Sequence, residues 1–385
     1  MSWGGWYTEV RTFMRVFLQS TATLIGMIVG VGIFGVPYVV AQVGFVPGLA
    51  WILGIGLLIL AVHLLYGEVV TATSGRHRLP GYAERYLGRP FKHILAIAEV
   101  LGYWGASVAY IIVGGRFLAL LFEGSGSFIF SALIFAAVAI ITFFGVRVLG
   151  RVEFWMTALL LLTVLIIMLA GALQINPANL RTLNFGFWLA PFGVVLFALT
   201  GVSAIPEMFD ISGRRRAVFF KSIILGSIVP VAVTALFAWV VVGISGTNTT
   251  AAAFDGLQAF LNSWVMKLGI IFGFLAVTTS YLVLALYLKE LFEYDYRVKK
   301  FPAWLVGVGV PFLLFAAGAR DFIRVIDITG GIFTALIGVF VPLIAVVVMR
   351  RRRGVGRFAP RIILAMCICA IFSAIVAYKV ISFLL

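Results

Sequence analysis

The chain has 385 residues, 63% of them hydrophobic and only 11% charged, with a mean hydropathy of +1.15 and a formal net charge of +15. Such a composition excludes a soluble globular domain and describes an integral membrane protein. Nucleic-acid binding, the usual partner of a large positive charge, is excluded because the basic residues are dispersed through short connectors and form no basic domain.

The first residues, WYTEVRTFMRVFLQS, carry charges on one side and large apolar groups on the other, and no small-residue cleavage site follows the first apolar run. They predict a cytoplasmic helix lying along the membrane surface over residues 1–15, with no signal peptide. About 20 helical residues cross a hydrocarbon core of ~30 Å. Runs of that kind fall at roughly Val16 to Val43, Pro47 to Thr71, Ile94 to Leu121, Phe128 to Phe144 and Phe154 to Leu173. Six more follow, from Phe187 to Asp210, Phe219 to Ser245, Trp264 to Leu288, Pro302 to Ala319, Phe322 to Met349 and Arg361 to Leu384. The expected fold is therefore an all-α polytopic membrane protein of about eleven transmembrane helices, a single transmembrane domain over 1–385.

Of the 29 Lys and Arg, 23 lie in connectors that fall on one side when the spans alternate, leaving Arg116, Arg181, Lys267, Arg320, Arg324 and Lys379 on the other. The positive-inside rule then places the N-terminus in the cytoplasm and, after eleven spans, the C-terminus outside a cell (plasma or inner) membrane. Cys367 and Cys369, two residues apart on a helix, face different ways and cannot bridge each other. The longest connector, Ser74 to His93, leaves no room for a soluble catalytic domain.

The first run, GMIVGVGIFGVPYVVAQVG from Gly26 to Gly44, is interrupted by Gly30, Gly32, Gly35 and Pro37. Glycine costs a helix ~1 kcal/mol relative to alanine and proline ~3 kcal/mol, so this helix is expected to unwind at mid-membrane depth. Unwound backbone is tolerated there where it lines a cavity. The sixth run repeats the anomaly in FALTGVSAIPEMF, Phe197 to Phe209, around Gly201 and Pro206. Matching helices one to five (16–173) with six to ten (187–349) pairs the two breaks. An odd number of spans per half forces opposite orientations, which predicts a five-plus-five inverted repeat with discontinuous helices 1 and 6 and a solute site at the midplane. Helix 11 (361–384) lies outside the repeat.

Several segments resemble a known family. GVGIFGVPYVVAQVG is similar to the first-span signature of the amino acid, polyamine and organocation superfamily, which implies the fold of the bacterial leucine transporter. EVVTATSGRHRLPGYAERYLGR (Glu68 to Arg89), SVAYIIVGG (Ser107 to Gly115), ILGSIVPV (Ile224 to Val231), TTSYLVLALYLKELF (Thr278 to Phe292) and DITGGIFTALIGVFVPLI (Asp327 to Ile344) resemble the aromatic and hydroxy amino acid permeases and the amino acid/auxin permeases. The sixth span departs from the bacterial aromatic permeases. Gly201, Val202 and Ser203 replace a histidine-containing motif and Glu207 replaces a small residue, so the resemblance implies a neutral amino acid without requiring an aromatic one.

Half-helix starts carry partial positive charge and half-helix ends partial negative charge, which suits a zwitterion. Backbone at Gly30, Val31 and Gly32 is expected to receive the carboxylate, and carbonyls near Leu199, Thr200 and Gly201 the amino group. Ile33, Phe34, Tyr110 and Ser203 would line the rest of the pocket; the resemblance places Tyr110 near the carboxylate, while a packed aromatic is the alternative. The resemblance also implies a sodium-type site at Gly26, Val29, Ala276, Thr279 and Ser280, against hydroxyls of Thr278, Thr279 and Ser280 that simply bond their own backbone. The fifth span contains no lysine to replace the sodium.

Proton coupling needs an ionisable group near neutrality, which burial brings about for carboxylates. Glu207 beside the sixth-span break is the first candidate and Glu68 the second; Glu68 and Glu99 read equally as partners of Arg76 or Lys92. His63 is the sole histidine inside a span, and it reads as a packing or polar contact. No acid/base or metal cluster supports an enzyme, and no cofactor is expected beyond a coupling ion, proton or sodium. The expected activity is import of an amino acid by alternating access, proton-coupled, with a sodium symporter, an exchanger or a non-transporting sensor as alternatives. Its partners are the amino acid and the lipid bilayer, with no nucleic acid. Which amino acid, and the oligomeric state, are not legible.

Overall fold

A computed structural model describes residues 3–75, 77–122, 124, 127–144, 149–257, 263–351 and 355–384, and among these every regular element is helical. Among the described residues eight helices are long and apolar enough to cross a membrane, and a ninth span is a broken pair, Phe13–Ile28 and Val31–Val43, bent by 52°. Shorter apolar stretches, Leu161–Ala172 and Lys300–Ala316, occupy the fifth and ninth positions. The first helix runs without interruption from Trp3 to Ile28, so the expected surface helix is continuous with the first span. The connector after the second span also differs from expectation, since it holds a short helix, Leu79–Leu87, and the third span begins at Arg89.

The other spans run Phe45–Ala72 (second), Arg89–Leu121 (third), Ser127–Phe144 (fourth), Leu149–Ala172 (fifth) and Pro191–Ile211 (sixth, broken). They continue with Arg216–Ser245 (seventh), Ser263–Glu290 (eighth), Phe322–Arg351 (tenth) and Val355–Leu384 (eleventh). The tenth carries a π turn at Thr329–Thr334 and the ninth another at Leu305–Gly309, where helices accommodate an extra residue.

Two packing blocks result. The first, second, sixth and seventh spans lie against one another. The third, fourth, eighth and ninth share an apolar cluster that includes Val108, Ile111, Ile134, Val138, Tyr281, Ala285, Val308 and Phe315. Within this second block Lys289 is buried, and its Nζ donates to the carbonyls of Thr142 (2.9 Å) and Phe143 (3.4 Å) at the end of the fourth span. A cation there satisfies carbonyls that the helix itself leaves unbonded and complements the negative end of its dipole.

At the end of the bundle that carries the N-terminus, Glu68 is clasped by Arg216 (2.6 Å) and Arg361 (3.1 Å), joining the second, seventh and eleventh spans. At the other end, the connector between the two halves caps the seventh span. Asn179 Nδ2 donates to the carbonyls of Gly243 (2.9 Å) and Ile244 (3.2 Å).

Candidate functional site

Both broken helices unwind where their sequences contain glycine. Gly30 is extended (φ −133°, ψ −151°), and a 3-10 turn over Val31–Phe34 follows before helix resumes at Val36. In the sixth span Thr200 is extended (φ −80°, ψ 138°), and a short turn over Val202–Ala204 precedes Ile205–Ile211. The two breaks are pressed together. A Cβ on Gly32 would stand 2.7 Å from the Cα of Ala198, and one on Gly201 would stand 2.7 Å from side-chain carbons of Leu24 and Ile28. Only glycine lets these backbones approach so closely.

Beside the breaks, between the two blocks, lies a cavity of about 730 Å³. On the first span its wall extends from Gln19 to Gly32 and on the sixth from Phe197 to Ile211. Gln19, Arg78 and Glu207 are exposed at its mouth, whereas Ile33, Phe34 and Val36 beyond the break are buried, so the cavity opens toward the end carrying the N-terminus. Its far end is sealed by aromatic packing. Phe34 meets Phe117 and Phe237 edge to face at 5.5 and 6.2 Å between centroids, and Tyr110 stacks on Tyr281 at 6.2 Å.

Of the residues expected to bind substrate, Gly30, Val31, Gly32, Tyr110, Thr200, Gly201 and Ser203 share this wall. Tyr110 Oη lies 2.7 Å from where a Cβ on Gly30 would stand, which places the hydroxyl against the extended segment. Ile33, Phe34 and Leu199 are not on the wall; the side chains of Ile33 and Phe34 are buried in the apolar core, because the 3-10 turn points them away from the opening, and Leu199, expected to offer its carbonyl, buries its side chain there too.

The sodium-type set is divided. Gly26 and Ser280 line the cavity, while Val29 and Ala276 are buried outside it. Thr278 Oγ1 donates to the Phe274 carbonyl (2.7 Å), and Thr279 Oγ1 to those of Leu275 and Ala276 (3.0 Å each).

The carboxylates also separate. Glu207 lines the cavity at its exposed mouth. Glu68 is outside the cavity and held in its double arginine clasp. Lys92 pairs with Glu84 at 2.6 Å, and Arg76 lies outside the described residues. Glu99, 5% exposed, is set into the cavity wall beside Tyr103 and Tyr287. Those rings meet edge to face at 5.0 Å, and the Arg78 guanidinium covers Tyr287 at 4.2 Å. A second cavity of about 350 Å³ adjoins the first and shares Arg78, Glu99, Ser203, Glu207 and Tyr287 with it.

Sequence reasoning missed Phe197, Tyr103, Tyr287, Thr329 and Phe333 on the wall. The tenth-span GG following Thr329 was the available signal, because the π turn built there brings Thr329 and Phe333 to the opening.

The sequence from residue 14 to residue 380 matches the tryptophan/tyrosine permease family. The chain belongs to that family. A permease moves a solute across a membrane, so this protein is a transporter and not an enzyme. The crystal structure of MhsT in complex with L-phenylalanine is similar to it with a TM-score of 0.64 at 17% identity, over 93% of this chain and 98% of that one. That agreement in fold is with the leucine-transporter-like arrangement that the family resemblance implies. No curated protein matches the sequence.

Proposed function

We propose that this permease carries a neutral amino acid with an aromatic or other large apolar side chain into the cell, coupled to protons, by alternating access. The observation that supports the reading is the cavity itself. Its wall places interrupted backbone at Gly30 to Gly32 and at Thr200 and Gly201 beside aromatic surface from Phe197, Tyr103, Tyr110, Tyr287 and Phe333. A carboxylate and an ammonium suit the two breaks, and the rings suit an apolar side chain. The family's description and the phenylalanine bound to MhsT favour the same substrate class. Kinship with the wider amino acid, polyamine and organocation superfamily, the plasma membrane as location and a cytoplasmic N-terminus complete the proposal.

Glu207 at the mouth and Glu99 in the wall are the carboxylates placed to take up a proton that travels with the substrate. Sodium coupling is the second reading, favoured by Gly26 and Ser280 standing on the same cavity. Uptake of labelled amino acids into proteoliposomes, under separately imposed inward proton and sodium gradients, tests both. Concentrative uptake under the proton gradient alone, abolished in Glu99→Gln or Glu207→Gln while tracer exchange persists, supports the proton reading. Uptake driven only by sodium replaces it, and no uptake of any amino acid under either gradient refutes the transport proposal.

A further inference from the structure

His63 lies at the middle of the second span with a side chain fully buried in protein. Both of its ring nitrogens are engaged. Nε2 stands 3.2 Å from the backbone nitrogen of Gly201, and Nδ1 stands 2.9 Å from the Ser227 hydroxyl of the seventh span. A backbone N–H only donates, so Nε2 is the acceptor and its lone pair is unprotonated. The ring proton therefore resides on Nδ1 and is donated to Ser227 Oγ, which assigns both the neutral form and the tautomer from the partners alone.

The position of this bond gives it a role. Gly201 is the residue at which the sixth span leaves the helical path, with Thr200 extended before it. Its N–H is one of the donors that unwinding strips from the helical ladder, and an unmet donor inside a membrane protein costs several kcal/mol. The imidazole supplies the acceptor that the helix no longer can. Around it, Leu24 of the first span packs on Gly201 and also on Gly226, next to Ser227. The hydrogen bonds therefore join three of the four spans of one block, and Leu24 brings in the fourth.

We propose that His63 is a positioning residue for the transport site: its neutral imidazole pins the unwound turn of the sixth span to the second and seventh spans. The Thr200 and Gly201 carbonyls and Ser203 then move as one body with that block, without rewinding, when the cavity changes sides. The consequence for substrate handling rests on the proposed transport function; the pinning itself does not.

Three measurements test it on the full-length protein in lipid. Nitrogen NMR of histidine-labelled protein, with the His63 signal identified by its loss in His63→Gln, is expected to show a neutral ring protonated at Nδ1. Hydrogen–deuterium exchange over residues 198–205 is expected to quicken at least ten-fold in His63→Ala. In uptake assays of the same variant the half-saturating substrate concentration rises about ten-fold, the loss expected for one hydrogen bond left unmade. His63→Gln, whose amide oxygen can accept from Gly201, restores both in part, a rescue that a space-filling role would not show. Ser227→Ala, a small change that leaves the Nε2 bond intact, gives a weaker effect of two- to three-fold and serves if His63→Ala does not fold.

An Nε2-protonated ring or an imidazolium overturns the proposal. So does unchanged exchange over 198–205 in His63→Ala or, should that variant not fold, in Ser227→Ala. If wild-type protein transports no amino acid, the function proposed above fails, while the NMR and exchange results still decide the role of His63.

Discussion

Gly32→Ala is expected to damage transport far more than its single added methyl group suggests. The new Cβ would stand 2.7 Å from the Cα of Ala198 and 3.0 Å from both Ala198 Cβ and Phe197 Cδ1. Carbon atoms rest at about 3.5–4.0 Å, so the break of the first span must withdraw from the sixth by roughly 1 Å. One obstructing atom is backbone, and no rotamer change relieves it. Overpacking of this kind costs about 1–3 kcal/mol, which corresponds to roughly a 5- to 150-fold loss if it falls on the substrate-competent geometry.

Gly54→Ala is the control, because nothing lies within 4 Å of its added Cβ, on an exposed face of the second span. It gains helix propensity and leaves transport unchanged. Initial uptake rates in proteoliposomes at several substrate concentrations, with thermal unfolding of the detergent-solubilised protein alongside, compare the two. If Gly32→Ala transports within two-fold of wild type at an unchanged unfolding midpoint, the two breaks do not need their close contact and the reasoning fails.

Lys379→Met removes a cation whose Nζ bonds both carboxylate oxygens of Asp327, at 2.8 and 2.7 Å, between the eleventh and tenth spans. With side chains 14% and 28% exposed, the pair lies between the surface and buried limits, and leaving Asp327 alone should cost about 1–3 kcal/mol. The double change with Asp327→Asn should recover most of the lost unfolding midpoint, and an equal loss in both variants would refute the pairing argument. In the connector after the second span, the hydrogen bond from Lys92 holds the Glu84 carboxyl below its ordinary value of 4.5. That stabilisation is complete above the ordinary value and disappears as pH falls through the lowered one. Amide exchange in Leu79–Leu87 should therefore be faster in Lys92→Met than in wild type at pH 7, with the difference vanishing in strong acid; a difference that persists there would contradict it.

The two interruptions were legible because glycine and proline act locally, on the backbone that carries them. Gly30, Gly32, Gly201 and Pro206 mark unwinding whatever surrounds them. The direction in which each span faces was not legible. These helices are apolar all round, and lipid and protein core present the same chemistry to a leucine, so no hydrophobic stripe sets the rotation of a span. Sequence alone therefore assigns Ile33 and Phe34 to the pocket, although the 3-10 turn directs them into the core.

Glu68 and Glu99 looked alike for a related reason, each a carboxylate near the same end of a membrane helix. Only tertiary packing gives one an arginine from each of two distant spans and the other a place in the cavity wall. His63 was the hardest case, since its acceptor role depends on a backbone N–H 138 residues away that exists as a free donor only because the sixth span unwinds.

The sealed end of the cavity indicates what the opposite state requires. Phe34 belongs to the block of the first, second, sixth and seventh spans, as does Phe237, whereas Phe117 belongs to the third span. In the alternating access proposed above, opening the far side would part Phe34 from Phe117 while its contact with Phe237 persists. An edge-to-face aromatic pair contributes about 0.5–1.5 kcal/mol beyond the area it buries. The substrate contacts proposed in both blocks, at Gly30 to Gly32 and Gly201 on one side and Tyr103, Tyr110 and Tyr287 on the other, would be of a size able to offset such a cost. A barrier made of rings can thus be shifted by a small solute, since a ligand moves an equilibrium only by its difference in affinity for the two states.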